Sequence, residues 1–248
     1  MATSFAFKPI VTNGLILCLD AGNTKSYPGS GTTWTDLTSN GNNGTLTNGP
    51  TFQSSYGGLI FFNTDGNDVI IIPPTNVMDK ITTSFTLSVY LRLTSEISLG
   101  IVATNRNTSD YDPTFNLSYD NRALVRPWNP SGLSNQRALV FTCGGGGTNT
   151  SYIWRTNSLP LNEWANITVS NNSSILSLYY NGVLSSTGSF LGTLQKPNIN
   201  IRLGNQYDNG LSDYPLTSSN ISNVQIYNRA LSASEVLQNY NATKGRFV

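Results

Sequence analysis

The chain of 248 residues contains no histidine. That removes the commonest general base, excludes a Ser-His-Asp triad and rules out imidazole ligation of a metal. Cysteine is nearly as scarce. Cys18 and Cys143 each sit in an apolar run and read as buried free thiols, and two separated cysteines support neither a disulfide framework nor a structural zinc site. Glutamate occurs only at Glu96, Glu163 and Glu235. Charged residues make up 11%, and 14 basic against 13 acidic side chains leave a net charge of +1. Nothing in that balance attracts nucleic acid or an anionic membrane. No apolar run approaches the ~18 residues of a membrane span. The opening stretch, Met1 to Pro9, lacks the charged start and apolar core of a secretory signal. The expectation is a protein that stays where it is made or leaves by cell lysis.

What is abundant is Asn, Ser, Thr and Gly, against a background that is 38% hydrophobic and 10% aromatic. Such a composition belongs to many short strands joined by turns, not to a disordered chain. The length suits one large all-β unit with a sizeable core. N-x-S/T triplets, for example at Asn43, Asn107, Asn166 and Asn220, arise by chance in this composition and carry no argument.

Along the chain, residues 1–13 read as an arm. Its apolar Phe5, Phe7 and Ile10 suit either a strand on the domain edge or an anchor to a partner. Gly14 to Asp20 is a continuous apolar strand, followed by a long loop that Trp34 and Leu37 are expected to pin to the core. Leu59 to Asn63 and Val69 to Pro73 are two further strands, and Asp65-Gly66 between them is a hairpin signal. Phe85, Leu87, Val89, Leu91 and Leu93 alternate with Thr86, Ser88, Tyr90 and Arg92, which predicts one packed and one polar face. Shorter strands are expected at 100–103, 115–119, 122–126, 138–143 and 152–155. The glycines at 144–147 mark a turn, and with no lysine or helix start after them they do not form a phosphate-binding loop. Ile167 and Val169 lie before a turn at 171–174, Leu176 and Leu178 after it, and Asn181-Gly182 is a type I′ hairpin signal. Ile199, Ile201 and Leu203 form the penultimate strand. In the last strand Val224 and Ile226 share one face, with Gln225 and Tyr227 on the other. Ser232 to Glu235 spells a capping box, so a short helix is expected to begin there and to stop near Gly245.

The ending V-Q-I-Y-N-R-A-L-S-A-S-E-V-L (224–237) resembles the C-terminal signature of laminin-G-like domains in the concanavalin A-like lectin and glucanase superfamily. W-A-N-I-T-V (164–169) with L-Y-Y-N-G-V (178–183) is similar to the same family. F-F-N-T-D-G-N-D-V (61–69) matches its F-D-G-x-x-D-Y pattern in part, with Val69 in place of the aromatic. The run from Leu15 through Pro50 resembles the opening of laminin-G-like proteins from tailed phages. The resemblance covers residues 14–248 and is strongest at the two ends. It implies an all-β, concanavalin A-like jelly-roll sandwich of two antiparallel sheets with a short C-terminal helix, its first and last strands in one sheet and Trp164 in the core. It further implies a non-enzymatic structural and interaction protein of a virion, a capsid decoration or a tail or fibre component. Such a protein is made in the host cytoplasm and released by lysis. Its partners would be other virion proteins, with adhesion to a host-surface glycan as a compatible or alternative role, and no nucleic acid or membrane insertion.

Candidate site residues follow from that implication and from side-chain chemistry. Hydrolases of the superfamily use carboxylates on an E-x-D-x-x-E strand, and no glutamate here lies in that pattern; a hydrolase built from aspartates is the enzymatic alternative. A sugar-binding surface needs exposed aromatics, and Tyr111, Trp128, Trp154, Tyr207 and Tyr214 lie in or near loops, with core or edge packing as the competing reading. No cofactor is expected except calcium. Asp65, Asn67 and Asp68 cluster, and Asp208 and Asp213 share a later loop; such oxygens suit calcium, and the same residues also serve ordinary Asx turns.

Overall fold

A computed structural model describes residues 8–97, 99–105, 114–122, 137–144, 151–156, 159–191, 193–194, 198–205 and 214–247. Among them sixteen strands follow in chain order. They are β1 (Leu15–Asp20), β2 (Thr33–Trp34), β3 (Gly44–Thr47), β4 (Thr51–Gln53), β5 (Leu59–Phe62), β6 (Val69–Ile72), β7 (Phe85–Leu93) and β8 (Leu99–Thr104), then β9 (Asn116–Asp120), β10 (Ala138–Cys143), β11 (Ser151–Arg155), β12 (Ala165–Asn171), β13 (Ile175–Tyr180), β14 (Val183–Ser189), β15 (Ile201–Leu203) and β16 (Ser219–Tyr227). Helix α1 (Thr75–Met78) is a single turn, and α2 (Ala233–Thr243) follows the last strand. No described helix is long and apolar enough to cross a membrane.

The strands form two antiparallel sheets. The first has the order β14-β13-β12-β7-β16-β5-β4, with β1 also paired to β16; the second has the order β11-β10-β9-β8-β15-β6-β3-β2. Leu19 lies opposite Val224, so the two ends of the chain meet in one sheet. Period-two alternation explains the core. Phe85, Leu87, Val89 and Leu91 of β7, Ile167 and Val169 of β12, and Val224 and Ile226 of β16 face Leu117, Tyr119, Leu139, Phe141, Ile201 and Leu203 from the second sheet. Each such side chain contributes about 1.5–3 kcal/mol on leaving water.

The other face of β7 is polar in composition yet also buried: Thr86, Ser88 and Tyr90 are all enclosed. Helix α2 and the segment leading into it lie across this face and satisfy the hydroxyls of Thr86 and Tyr90, while β12 satisfies that of Ser88. Thr86 Oγ1 donates to the Arg229 carbonyl and accepts the Leu231 N–H, both at 2.9 Å. The Ser88 and Thr168 hydroxyls pair at 2.8 Å, as do those of Tyr90 and Thr243. The helix begins at the expected capping box, with Ser232 Oγ accepting the Glu235 N–H and Glu235 Oε2 accepting the Ser232 N–H at 2.9 Å.

Four local expectations change. Asp65-Gly66 is not a hairpin. β5 pairs with β16 and β4 in the first sheet, whereas β6 pairs with β15 and β3 in the second, so the turn carries the chain across the sandwich. Turn chemistry specifies a reversal, but packing of Phe62 and Ile70 in the shared core selects the partners. Leu37 is exposed, and Trp34 alone of that pair anchors the opening loop. Trp164 is half-buried on the outer side of the first sheet, 4.9 Å from the Phe247 ring and 5.8 Å from Tyr56. Phe247 stacks on Tyr90 at 4.1 Å, so the C-terminal segment supplies the cover that the core was expected to give. Residues 8–13 form no strand and lie on this chain's own C-terminal elements. Gln238 Nε2 donates to the Pro9 carbonyl at 2.7 Å, the Val11 N–H to Asn239 Oδ1 at 2.8 Å, and the Tyr227 hydroxyl to the Val11 carbonyl at 3.0 Å. The Asn181-Gly182 turn is as expected, with φ of 51° and 78° joining β13 to β14. Residues 123–126 and 145–147 fall outside the described residues.

The long loop after β1 knits itself to that strand. Asp36 Oδ1 accepts the N–H groups of Cys18 and Thr38 at 2.9 and 3.0 Å, and Oδ2 accepts the Thr38 hydroxyl at 2.7 Å and the Asn42 N–H at 3.0 Å. Asn40 and Asn42 both donate to the Ile16 carbonyl, at 3.0 and 2.8 Å. Cys18 and Cys143 are buried free thiols, as expected.

Candidate functional site

On the second sheet, every other residue points away from the core. The register aligns one such row across five strands: Tyr152 on β11, Thr142 on β10, Asn116 on β9, Thr104 on β8 and Arg202 on β15. A second row places Trp154 beside Val140 and Ser118. The row changes character along its length. Asn116, Thr104 and Arg202 are buried, and Asn116 Oδ1 has no hydrogen-bond partner. Toward the β11 edge the face opens: Tyr152 is 42% and Trp154 37% exposed, with Thr142 half-buried between strands.

Tyr152 and Trp154 share a face because they stand two positions apart along a strand, ~6.7 Å. Ile153 between them points into the core and holds the strand down. The strand is further fixed from the first sheet: Ser186 Oγ on β14 donates to the Trp154 carbonyl at 2.9 Å. Gly188 on β14 lets the Tyr152 carbonyl approach, since a Cβ there would sit 3.0 Å from it. The two rings therefore stand on a rigid edge. The Arg155 guanidinium is engaged over the Tyr180 ring at 3.9 Å, so this corner presents aromatic and hydroxyl surface.

Tyr214 lies at another border of the second sheet. It is exposed, has a φ of 63°, and carries the Arg122 guanidinium 5.7 Å above its ring. Arg122 forms a bidentate pair with Asp120, Nε to Oδ1 and Nη2 to Oδ2, each 2.9 Å. Of the five aromatics singled out from the sequence, Trp154 and Tyr214 are thus exposed, while Tyr111, Trp128 and Tyr207 lie outside the described residues. Tyr152 was not among the five. The signal for it was the alternation in S-Y-I-W-R, which puts it beside Trp154.

The acidic residues are mostly engaged. Glu96 pairs with Arg137 and accepts the Tyr119 hydroxyl at 3.1 Å. Glu235 pairs with Arg229 at 2.6 Å, and Arg229 with the adjacent Ser232 groups holds its carboxyl down to about 2. Asp65 is exposed. Asp68 is 2% exposed; its Oδ2 accepts the Asn63 N–H at 2.5 Å, while its Oδ1 and the neighbouring Asn67 Oδ1 are buried without a partner. Burial raises the Asp68 carboxyl above its ordinary value. Asp208 and Asp213 lie outside the described residues, and among those described no group of three or more His, Cys, Asp or Glu could hold a metal ion. Of the arm residues, Ile10 is half-buried, and Phe5 and Phe7 lie outside the described residues.

A laminin G family model, described as the concanavalin A-like lectin/glucanases superfamily, matches residues 63–237. No curated protein matches the chain. Among solved structures, the chain is similar to the receptor binding domain of the botulinum neurotoxin C/D mosaic serotype, with a TM-score of 0.68 and 15% identity over 92% of this chain and 51% of that one. The type G receptor binding domain gives a TM-score of 0.64 and 16% identity over 92% and 51%. The binding domain of botulinum neurotoxin DC, solved in complex with SialylT, gives 0.65 and 16% over 93% and 52%. The chain spans about half the length of these domains, and at such identities the likeness is one of fold.

Proposed function

This chain belongs to the concanavalin A-like lectin/glucanases superfamily, and from that premise we propose that it is a non-catalytic recognition module that binds a surface glycan at the β11 edge of its second sheet. One observation carries this reading. Two large aromatics, Tyr152 and Trp154, stand exposed side by side on a strand held rigid from below, next to the hydroxyl of Thr142. Aromatic faces stack on the apolar faces of sugar rings, and neighbouring hydroxyls bond the sugar's own. Solved receptor binding domains of similar fold, one of them in complex with SialylT, agree with a recognition role.

Against hydrolysis, no glutamate lies in the superfamily's E-x-D-x-x-E pattern, and Glu96, Asp120 and Glu235 are each held by an arginine. A glycosidase needs two carboxylates free to act on either side of a bond. Asn67 Oδ1 and Asp68 Oδ1 are two hard oxygens that a cation would satisfy, out of the six to eight it takes. Placement on a phage capsid, tail or fibre rests on the loop resemblance of residues 15–50, and purified particles probed for this chain would test it.

The test of the glycan reading is a glycan array run with the wild type and with Trp154→Ala, with and without calcium. Binding to a defined glycan that drops three- to tenfold in the variant, at unchanged Tm, is the expected result. No binding in any condition, or equal binding by both proteins, would remove the β11 edge as the site.

A further inference from the structure

The loop after β1 is rich in Gly, Ser and Thr. Most of its polar residues hold the loop itself: Ser26 Oγ donates to the Thr35 carbonyl at 2.6 Å, and the Tyr27 hydroxyl to the Gly31 carbonyl at 2.6 Å. Together with the Thr51–Gly57 segment it borders an open cavity of about 240 Å³. The Tyr27 and Phe52 rings line it, 5.4 Å apart and tilted by 37°, with Pro28 beside them. Thr24 and Ser54, both exposed, and the backbone of Gly22, Gly29 and Gly57 complete the lining.

From this lining we infer that the cavity is a second ligand site, which takes a single neutral sugar ring such as the end of a glycan chain. Four features argue for that ligand class. No charged side chain is among the lining residues, and Arg246, which packs against Gly22 and Gly57, is paired with Asp20. The half-buried Phe52 ring offers a stacking face, and Tyr27, 3% exposed and bonded to Gly31, backs it from the core before a ligand arrives. The exposed Thr24 and Ser54 in the lining carry hydroxyls that can bond a sugar's own. The volume is below the ~300–1,000 Å³ of pockets for larger ligands. The shape is also specified by the backbone. A Cβ on Gly22 would meet the Gly57 carbonyl oxygen at 2.3 Å, so only glycine lets the two walls come together.

The inference rests on the glycan reading for the class of ligand but not for the place, since the β11 edge shares no residue with this cavity. The test is a series of ¹H–¹⁵N spectra of the full chain titrated with methyl glucoside, methyl galactoside and methyl mannoside. At least one glycoside is expected to shift the amides of Gly22, Gly29 and Gly57 saturably. Phe52→Ala is expected to weaken that binding roughly tenfold. Thr24→Trp, at an exposed position, should abolish it by filling the cavity mouth without disturbing the fold. Trp154→Ala should leave these shifts unchanged while it weakens binding on the array, which separates the two sites. If no glycoside moves these amides, or if a proline-rich peptide moves them and the glycosides do not, the inference is overturned, whatever the array shows at the β11 edge.

Discussion

The Asp36 carboxylate accepts the backbone N–H of Cys18 at 2.9 Å, although the two residues are eighteen positions apart and Cys18 lies in the middle of β1. The same carboxylate accepts from Thr38 and Asn42, so one buried acid ties the long opening loop to the strand that closes the first sheet.

Asp36→Ala removes the acceptor for three backbone N–H groups and one hydroxyl, and leaves buried donors unsatisfied. A loss of about 3 kcal/mol is expected in the urea unfolding free energy, and a smaller loss for Asp36→Asn, which keeps one oxygen. A change below about 0.5 kcal/mol in both variants would show that the loop does not depend on this residue.

Acid stability should depend on Glu235. Its folded-state value is held down to about 2 from 4.5, chiefly by hydrogen bonding from Arg229. A depressed carboxyl favours the folded state above its ordinary value, and that contribution is lost as pH falls from about 4.5 toward 2. Both partners are partly exposed, so the contribution is about 1 kcal/mol. Unfolding curves of wild type and Glu235→Gln should converge as pH falls through that window. A gap that stays constant across it would mean that the acid sensitivity arises elsewhere.

Asp68 has the opposite sign. Burial raises its carboxyl, so its protonated form is favoured in the folded state, and this contribution is complete below 3.8 and lost as pH rises through the raised value. At neutral pH Asp68→Asn should therefore be at least as stable as the wild type in the absence of metal. Calcium should raise the Tm of the wild type and leave that of the variant unchanged. Identical Tm values for the wild type with calcium and with a chelator would end the calcium proposal.

The two thiols should be silent in the native protein. Burial, with Asp20 and Asp36 nearby, pushes Cys18 up to about 12, and burial raises Cys143 as well. Neither forms the thiolate that reacts with a disulfide reagent. At pH 8 both should be modified only as fast as the protein unfolds, and a urea series should show modification rising with the unfolded fraction. Rapid modification of either one without denaturant would contradict the burial.

Much of this molecule is legible from short-range pattern. The alternation in β7, the Asn181-Gly182 turn and the Ser232–Glu235 capping box depend on neighbours within a few residues, so the sequence expresses them directly. Phe62 and Ile70 show where that legibility stops. Both were readable as strand residues, but their strands enter opposite sheets, and no local signal distinguishes a hairpin turn from a crossing. The candidate site divides in the same way. Trp154 was identifiable as an aromatic suited to sugar stacking. Its partnership with Tyr152 on an exposed face depends on Ile153 pointing inward and on β14 coming close enough to hold the strand.

By itself, then, the sequence determined the strand content, the absence of histidine chemistry and the capped C-terminal helix, while the two-sheet class came from the family resemblance. The first three follow from residue type and from periodicity of two or 3.6. Only the tertiary structure decided which strands pair, that the polar face of β7 is enclosed beneath α2, that Trp164 leaves the core for Phe247, and that residues 8–13 rest on this chain's own helix. Those outcomes depend on contacts between residues up to more than two hundred positions apart. Such contacts are selected by the mutual fit of whole surfaces, and no window of sequence contains both sides of that fit.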